Sequence, residues 1–217
     1  MTDYIAPMLK LFYSPGACST ATHIALEEAG AEYELHLVKL GEQQQRTPEF
    51  LKLNPKGRVP ALATDRGMLT ENPAILAWIA QTWPEAKLAP LDDPFAFAQM
   101  QAFNAFLCAT VHPTFAHIFR PQRYADDEAS HAAMRAKAPS VLDEHFALIE
   151  SKLADGREWV NRDYSVSDPY LYIFSRWFQR DGMGTPGRFP KVRAHLERMQ
   201  ARPAVARALE QEGLPLL

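Results

Sequence analysis

The apolar positions of this chain change period several times, and each change marks an element. Lys10 to Tyr13 is a short apolar run with aromatic residues, which predicts a strand. Ser14-Pro15-Gly16 has turn chemistry, Pro fixing one φ and Gly tolerating unusual angles. From Ala17, small and apolar residues return at helical spacing through Ala21, Ile24 and Ala25, and Gly30 stands where a helix closes. Tyr33 to Val38 alternates polar and apolar and predicts a second strand. Two strands joined through a helix make a parallel βαβ unit. Pro48 to Leu53 predicts a short helical stretch, ended by Asn54-Pro55-Lys56-Gly57. Val59 to Thr64 and Met68 to Thr70 flank Asp65-Arg66-Gly67, the pattern of a β-hairpin. Asn72, a favoured N-cap, and Pro73 at the first helical position open a helix with Ala74, Ile75, Trp78 and Ile79 on its apolar face.

Thr82 to Pro94 has three prolines and no periodicity, and reads as a linker. Everything beyond it is helical in pattern: Phe95 to Val111, Ala129 to Leu153, a helix opened by Ser165-Val166-Ser167-Asp168, Phe189 to Gln200, and Ala204 to Glu210. The predicted division is residues 1–83 as an α/β domain, 84–94 as the linker and 95–217 as an all-helical domain. At 217 residues, one or two domains are expected, each with its own core.

Composition narrows the function. A net charge of −3 with no basic run argues against nucleic acid as the main partner. No apolar stretch approaches the roughly 20 residues that span a bilayer, and Met1 to Pro7 lacks the pattern of a signal peptide. Cys18 and Cys108 are therefore expected as two separate thiols in a reducing compartment.

Cys18 is the residue with the most chemistry to offer. It falls in the first turn of a helix leaving a strand, where free amides and the helix dipole favour negative charge. A thiol there is expected to lose its proton more easily than a free cysteine. The same field would hold the thiolate of a bound thiol cofactor. The alternative is a small buried residue. No second cysteine follows at Cys-x-x-Cys spacing, so there is no local dithiol.

Four stretches carry a family likeness: Tyr13 to Ser19, Asn54 to Leu62, Leu69 to Ile75, and Arg202 to Leu214. In their order and spacing the chain resembles the cytosolic glutathione S-transferases, most closely the bacterial beta class. The resemblance implies a thioredoxin-like N-terminal α/β domain, an all-α C-terminal domain and a homodimer acting in the cytoplasm, with detoxification as its role. It implies glutathione as co-substrate and no metal. The glutathione-binding residues would be Ala17, Cys18, Arg58, Val59, Pro60, Glu71 and Asn72. Val59-Pro60 would carry a cis bond, its backbone pairing with the cysteinyl unit like an added strand. Without the resemblance, a trans proline opening an edge strand is the ordinary reading. Glu71 and the helix start beside it suit the γ-glutamyl ammonium and carboxylate. Asn72 stands where the family usually has Ser, and Asn can still cap and donate.

Catalysis would rest on Cys18 and His112 facing the sulfur, with Ser19 as a secondary donor. His117, a turn further on, is the lesser candidate. Tyr13 is read as core and His23 as structural. His112, Tyr170 and Trp177 would line the electrophile pocket, although aromatic residues on such a helix also serve as core. Ser165 and Asp168 match a capping box, a folding feature. The function implied is conjugation of the glutathione thiolate to small hydrophobic electrophiles. The alternatives are glutathione-dependent thiol–disulfide exchange through Cys18, or a non-catalytic binding member of the fold.

Overall fold

The computed structural model describes residues 9–217. The motifs from Tyr13 onward therefore lie within it, and Met1 to Pro7 lies outside the described residues. A mixed sheet of four strands has the order β2–β1–β3–β4. The strands are β1 (Leu9–Tyr13), β2 (Tyr33–Leu37), β3 (Ala61–Thr64) and β4 (Gly67–Thr70). β1 and β2 run parallel with Leu11 opposite Leu35, as the helix between them requires. β3 runs antiparallel to β1, with Leu62 opposite Leu11, and the β3–β4 hairpin pairs Ala61 with Thr70. The Val59–Pro60 peptide just before β3 is cis.

Helix α1 (Ser19–Ala29) returns the chain between β1 and β2. Gly30 ends it in the left-handed region at φ 63°, its amide turned back to Glu27 and Leu26. Eight consecutive residues, Ser19 to Leu26, are buried, so α1 is enclosed rather than amphipathic. Helices α2 (Pro48–Leu53) and α3 (Asn72–Thr82) complete the sheet region. Then follow α4 (Pro94–Phe106), α5 (His112–Phe119), α6 (Glu128–Lys152), α7 (Ser167–Phe178), α8 (Pro190–Gln200) and α9 (Pro203–Glu212).

Two departures from the sequence reading concern packing. The two halves were expected to have separate cores, but one apolar cluster runs from Leu11, Leu62 and Ile75 through Phe115, Phe146 and Phe174. A second joins Ile24 of α1 to Tyr172, Leu196 and Val205. α1 thus packs on the sheet and on the later helices at once. The linker is also tied down: Leu88 is buried and its carbonyl accepts the Val166 amide at 2.9 Å.

The other departure is local. The helix expected to end at Val111 continues into α5 through a π-helical turn, Leu107–Val111. A proline inside a helix deletes one amide and crowds the carbonyl four residues back. Pro113 lies two residues beyond this turn, so the backbone changes its register close to where that amide is missing.

At the start of α7, the expected capping box is present. Asp168 accepts from the Ser165 amide at 2.8 Å, and Ser165 Oγ accepts from the Ser167 amide at 3.3 Å. Asp168 also accepts from the Val160 amide at 2.9 Å and from His195 Nε2 at 3.0 Å.

Candidate functional site

Two adjoining cavities open between the sheet and the helices. The smaller, about 210 Å³, is lined by Cys18, the Val59–Pro60 segment, Glu71, Cys108, His112 and Tyr170, among others. The larger, about 440 Å³, shares Cys18, Arg58, Val59 and His112 with it, and adds Ala17, Phe119 and Trp177.

The position of Cys18 follows from the β1–α1 turn. Ser14 to Ala17 turns sharply, and Cys18 is the N-cap residue of α1. Its Sγ donates to the Val59 carbonyl at 3.3 Å. The expectation of an easily ionised thiol is corrected here. Burial, with the neighbouring Cys108 sulfur second, pushes the Cys18 thiol up to about 12. The favourable helix-start amides are outweighed because residues remote in sequence exclude water from the sulfur.

Cys108 is the second correction. Both cysteines are free, as expected, but they line one cavity rather than separate settings. The π-helical turn carries Cys108 there, next to the Tyr170 phenol. Burial raises the Cys108 thiol as well.

His112 enters both cavities from the first turn of α5. Its ring packs on Phe174 and Trp177, with centroids 5.4 Å away in each case. Burial first, then the Arg123 and Arg58 guanidiniums, push its pKa down to about 4. At neutral pH it is an uncharged imidazole, able to donate from one nitrogen and accept at the other.

Ser19 is not part of this site. Its hydroxyl donates to the Ser14 carbonyl at 3.2 Å and accepts from the Ser14 amide at 3.1 Å. It is wholly buried and lines neither cavity. A hydroxyl committed twice to the turn has a folding role, so the secondary-donor assignment is withdrawn.

Asn72 is in the site but does not cap. It is the first residue of α3, with Glu71 before it at φ 73°. Its Nδ2 donates to the Cys18 carbonyl at 2.8 Å, and its Oδ1 accepts from Thr22 Oγ at 2.7 Å. It ties α3 to the start of α1. Glu71 holds a positive φ that is costly for a residue with a Cβ, a strain that collects at ligand sites. Its carboxylate is exposed to the cavity and paired with Lys56 at 2.7 Å. Lys56 was not singled out in the sequence, although it lies inside the Asn54-Pro55-Lys56-Gly57 stretch.

Tyr170 and Trp177 are both core and lining. Each is buried, Tyr170 faces the smaller cavity and Trp177 the larger. Trp177 Nε1 donates to the Gly16 carbonyl at 2.8 Å, which pins the turn before Cys18 from the helical side. Tyr13 is core, and His117 lines neither cavity but packs on Tyr124, which lines the smaller one. His23 is buried against Glu212 at 3.0 Å, the structural role expected of it.

Residues 7–81 match the family model described as the glutathione S-transferase N-terminal domain. Glutathione S-transferase GST-4.5 of Xanthomonas campestris is 34% identical over 207 residues, spanning 95% of this chain and 100% of that one. A glutathione transferase homolog from Sulfitobacter, solved with bound glutathione, superposes with a TM-score of 0.89 at 35% identity, covering 96% of this chain and 99% of its own. The beta-class glutathione S-transferase of Sphingomonas chungbukensis gives 0.83 at 36% identity, covering 95% and 100%. With a thioredoxin-like sheet region, a helical remainder and full-length relatives at this identity, the chain belongs to the glutathione S-transferase family.

Proposed function

We propose that this protein conjugates glutathione to small electrophiles, with the glutathione sulfur as nucleophile. The observation that carries the reading is the meeting of four features in one cleft: the Val59–Pro60 segment, Glu71 at the head of α3, Cys18 at the head of α1, and neutral His112. Val59 offers backbone groups for strand-like pairing with the cysteinyl unit. Ala17, Arg58, Pro60 and Asn72 complete the binding wall. Glu71 takes the γ-glutamyl ammonium in exchange for Lys56, and the first amides of α3 take the carboxylate.

The raised pKa of Cys18 supports a donor's part for it. A thiol that keeps its proton at neutral pH is a donor, not a nucleophile. Cys18 therefore turns its S–H from the Val59 carbonyl to the glutathione sulfur, which carries the negative charge, and the freed carbonyl is left to pair with the cysteinyl unit. His112 is uncharged and donates a second hydrogen bond to the same sulfur, while the proton of the ionising thiol leaves to water. Holding the thiolate beside a bound electrophile converts an encounter into a positioned reaction. In this division residues 1–83 bind glutathione and 95–217 supply Tyr170, Trp177 and the electrophile pocket. A homodimer, a cytoplasmic location and a detoxifying role belong to the same reading, and sedimentation tests the first.

Thiol–disulfide exchange is the second reading, and Cys108 in the same cavity favours it. The protonated state of both thiols weighs against it, since the thiolate is the attacking form. Two assays decide. Retention on immobilised glutathione, with elution by free glutathione, is expected, and so is conjugation of 1-chloro-2,4-dinitrobenzene. A protein that neither binds the resin nor conjugates refutes the proposal.

A further inference from the structure

The larger cavity holds charge that the chemistry at the sulfur does not use. Arg58, Arg120, Arg123 and Arg180 line it, and among the described residues no Asp or Glu does. They come from three separate segments: Arg58 from the loop before β3, Arg120 and Arg123 from the turn after α5, and Arg180 from just beyond α7. Among the described residues, none of the four is in an ion pair. The acid of the adjoining cavity, Glu71, is taken by Lys56. At Arg123, burial and the guanidiniums of Arg58, Arg120 and Arg46 together lower the pKa, a sign that the positive charges feel one another.

Like charges gathered without counter-ions in a partly dry cleft raise the energy of the free protein and focus a field on incoming anions. Glutathione accounts for a part. Its glycyl carboxylate projects away from the sulfur, and Arg58, beside Val59, is the guanidinium nearest the pairing segment in sequence. A carboxylate takes one guanidinium bidentately, so a surplus remains. Arg120 and Arg180 belong to the helical half, with the aromatic wall. The Arg180 guanidinium lies 5.7 Å from the centre of the Phe119 ring. An aromatic wall with a cationic rim fits a flat conjugated molecule bearing an anionic group.

We propose that the electrophile is itself an anion, an activated aryl or unsaturated compound carrying a carboxylate, with its conjugated part against Phe119 and Trp177 and its carboxylate on Arg120 and Arg180. This rests on the conjugating function above and names its substrate class. In an aryl chloride, the glutathione sulfur bonds to the ring carbon and chloride leaves with the electron pair of the broken bond. The proton released on forming the thiolate goes to water.

The test compares 4-chloro-3,5-dinitrobenzoate with neutral 1-chloro-2,4-dinitrobenzene, each rate divided by its uncatalysed rate with glutathione. The protein is expected to favour the carboxylate by about tenfold or more in this normalised kcat/KM, as a charged hydrogen bond allows. Arg180→Gln and Arg120→Gln should each cut that preference about tenfold, chiefly through KM. In the unaltered protein, the preference should shrink as salt rises, and benzoate should inhibit more strongly than benzamide. An equal preference for the two chlorides, or a preference that both variants retain, overturns the inference while conjugation stands. Turnover of neither, with no glutathione binding, removes the function and the inference together.

Discussion

Two polar clusters in this molecule have opposite characters. At the head of α7, Asp168 is wholly buried and its carboxylate receives the amides of Val160 and Ser165 and the Nε2 of His195. The Nε2 of His195 donates to Asp168 at 3.0 Å. In the cleft, four guanidiniums have no counter-ion among the described residues, a thiol and an imidazole are held uncharged, and Glu71 sits at a strained φ. Polar groups that satisfy each other hold a fold together. Polar groups that the protein leaves wanting are arranged for something that arrives later.

Removing Asp168 is the strongest way to break that contrast. Asp168→Ala leaves two amides and an imidazole buried without their acceptor, and is expected to cost about 3–5 kcal/mol, read as a lower urea midpoint. A protein of unchanged midpoint would mean the cluster is not structural. The next effect is the pH dependence of His112. Its folded pKa, about 4, lies below the ordinary 6.5, so the unfolded chain takes up the proton first. The stabilisation is fully present above pH 6.5 and is lost as pH falls towards 4. At about 1.4 kcal/mol per unit, the loss is on the order of 2–3 kcal/mol. His112→Asn should flatten the difference between urea midpoints measured near pH 7.5 and pH 4.5.

Cys18→Ala comes third. If the thiol donates a single hydrogen bond to the glutathione sulfur, conjugation should fall about fivefold to tenfold with circular dichroism unchanged. Any disulfide-exchange activity should vanish. A loss of conjugation to background, with the fold intact, would make Cys18 more than a donor. In the free protein, alkylation of Cys18 by iodoacetamide should be slow at pH 7 and accelerate only at strongly alkaline pH. The smallest effect belongs to an exposed pair, Arg193 and Glu197 on α8, 2.9 Å apart. Arg193→Ala should change stability by less than about 0.5 kcal/mol. A larger loss would show that solvated pairs weigh as much here as buried ones.

What the sequence made legible was local. The strand–turn–helix around Ser14-Pro15-Gly16, the hairpin turn at Asp65-Arg66-Gly67 and the Ser165–Asp168 box are each written within a few residues. The site residues that depend on distant neighbours were harder to read. Cys18 was expected to ionise readily, and only packing from other elements reverses that. Cys108 falls within the Phe95 to Val111 helical pattern, and nothing in that pattern marks the π-helical turn on which it lies beside the cavity. Asn72 has the side chain of a cap, yet Thr22 and the Cys18 carbonyl claim it. The convergence of Arg58, Arg120, Arg123 and Arg180 has no local signature, since three loops must fold before they meet.

The turn before Cys18 depends on a residue far along the chain. The Glu212 carboxylate receives the Gly16 amide and the Thr20 hydroxyl, each at 2.8 Å, and also contacts His23. The sheet region expressed alone would thus present a loop with its anchor missing, however well its strands paired. During synthesis, the sulfur-binding corner is finished only after α9 has been made and folded back. A fusion or cleavage near that last helix is therefore an alteration of the glutathione end of the molecule, despite nearly two hundred residues of intervening chain.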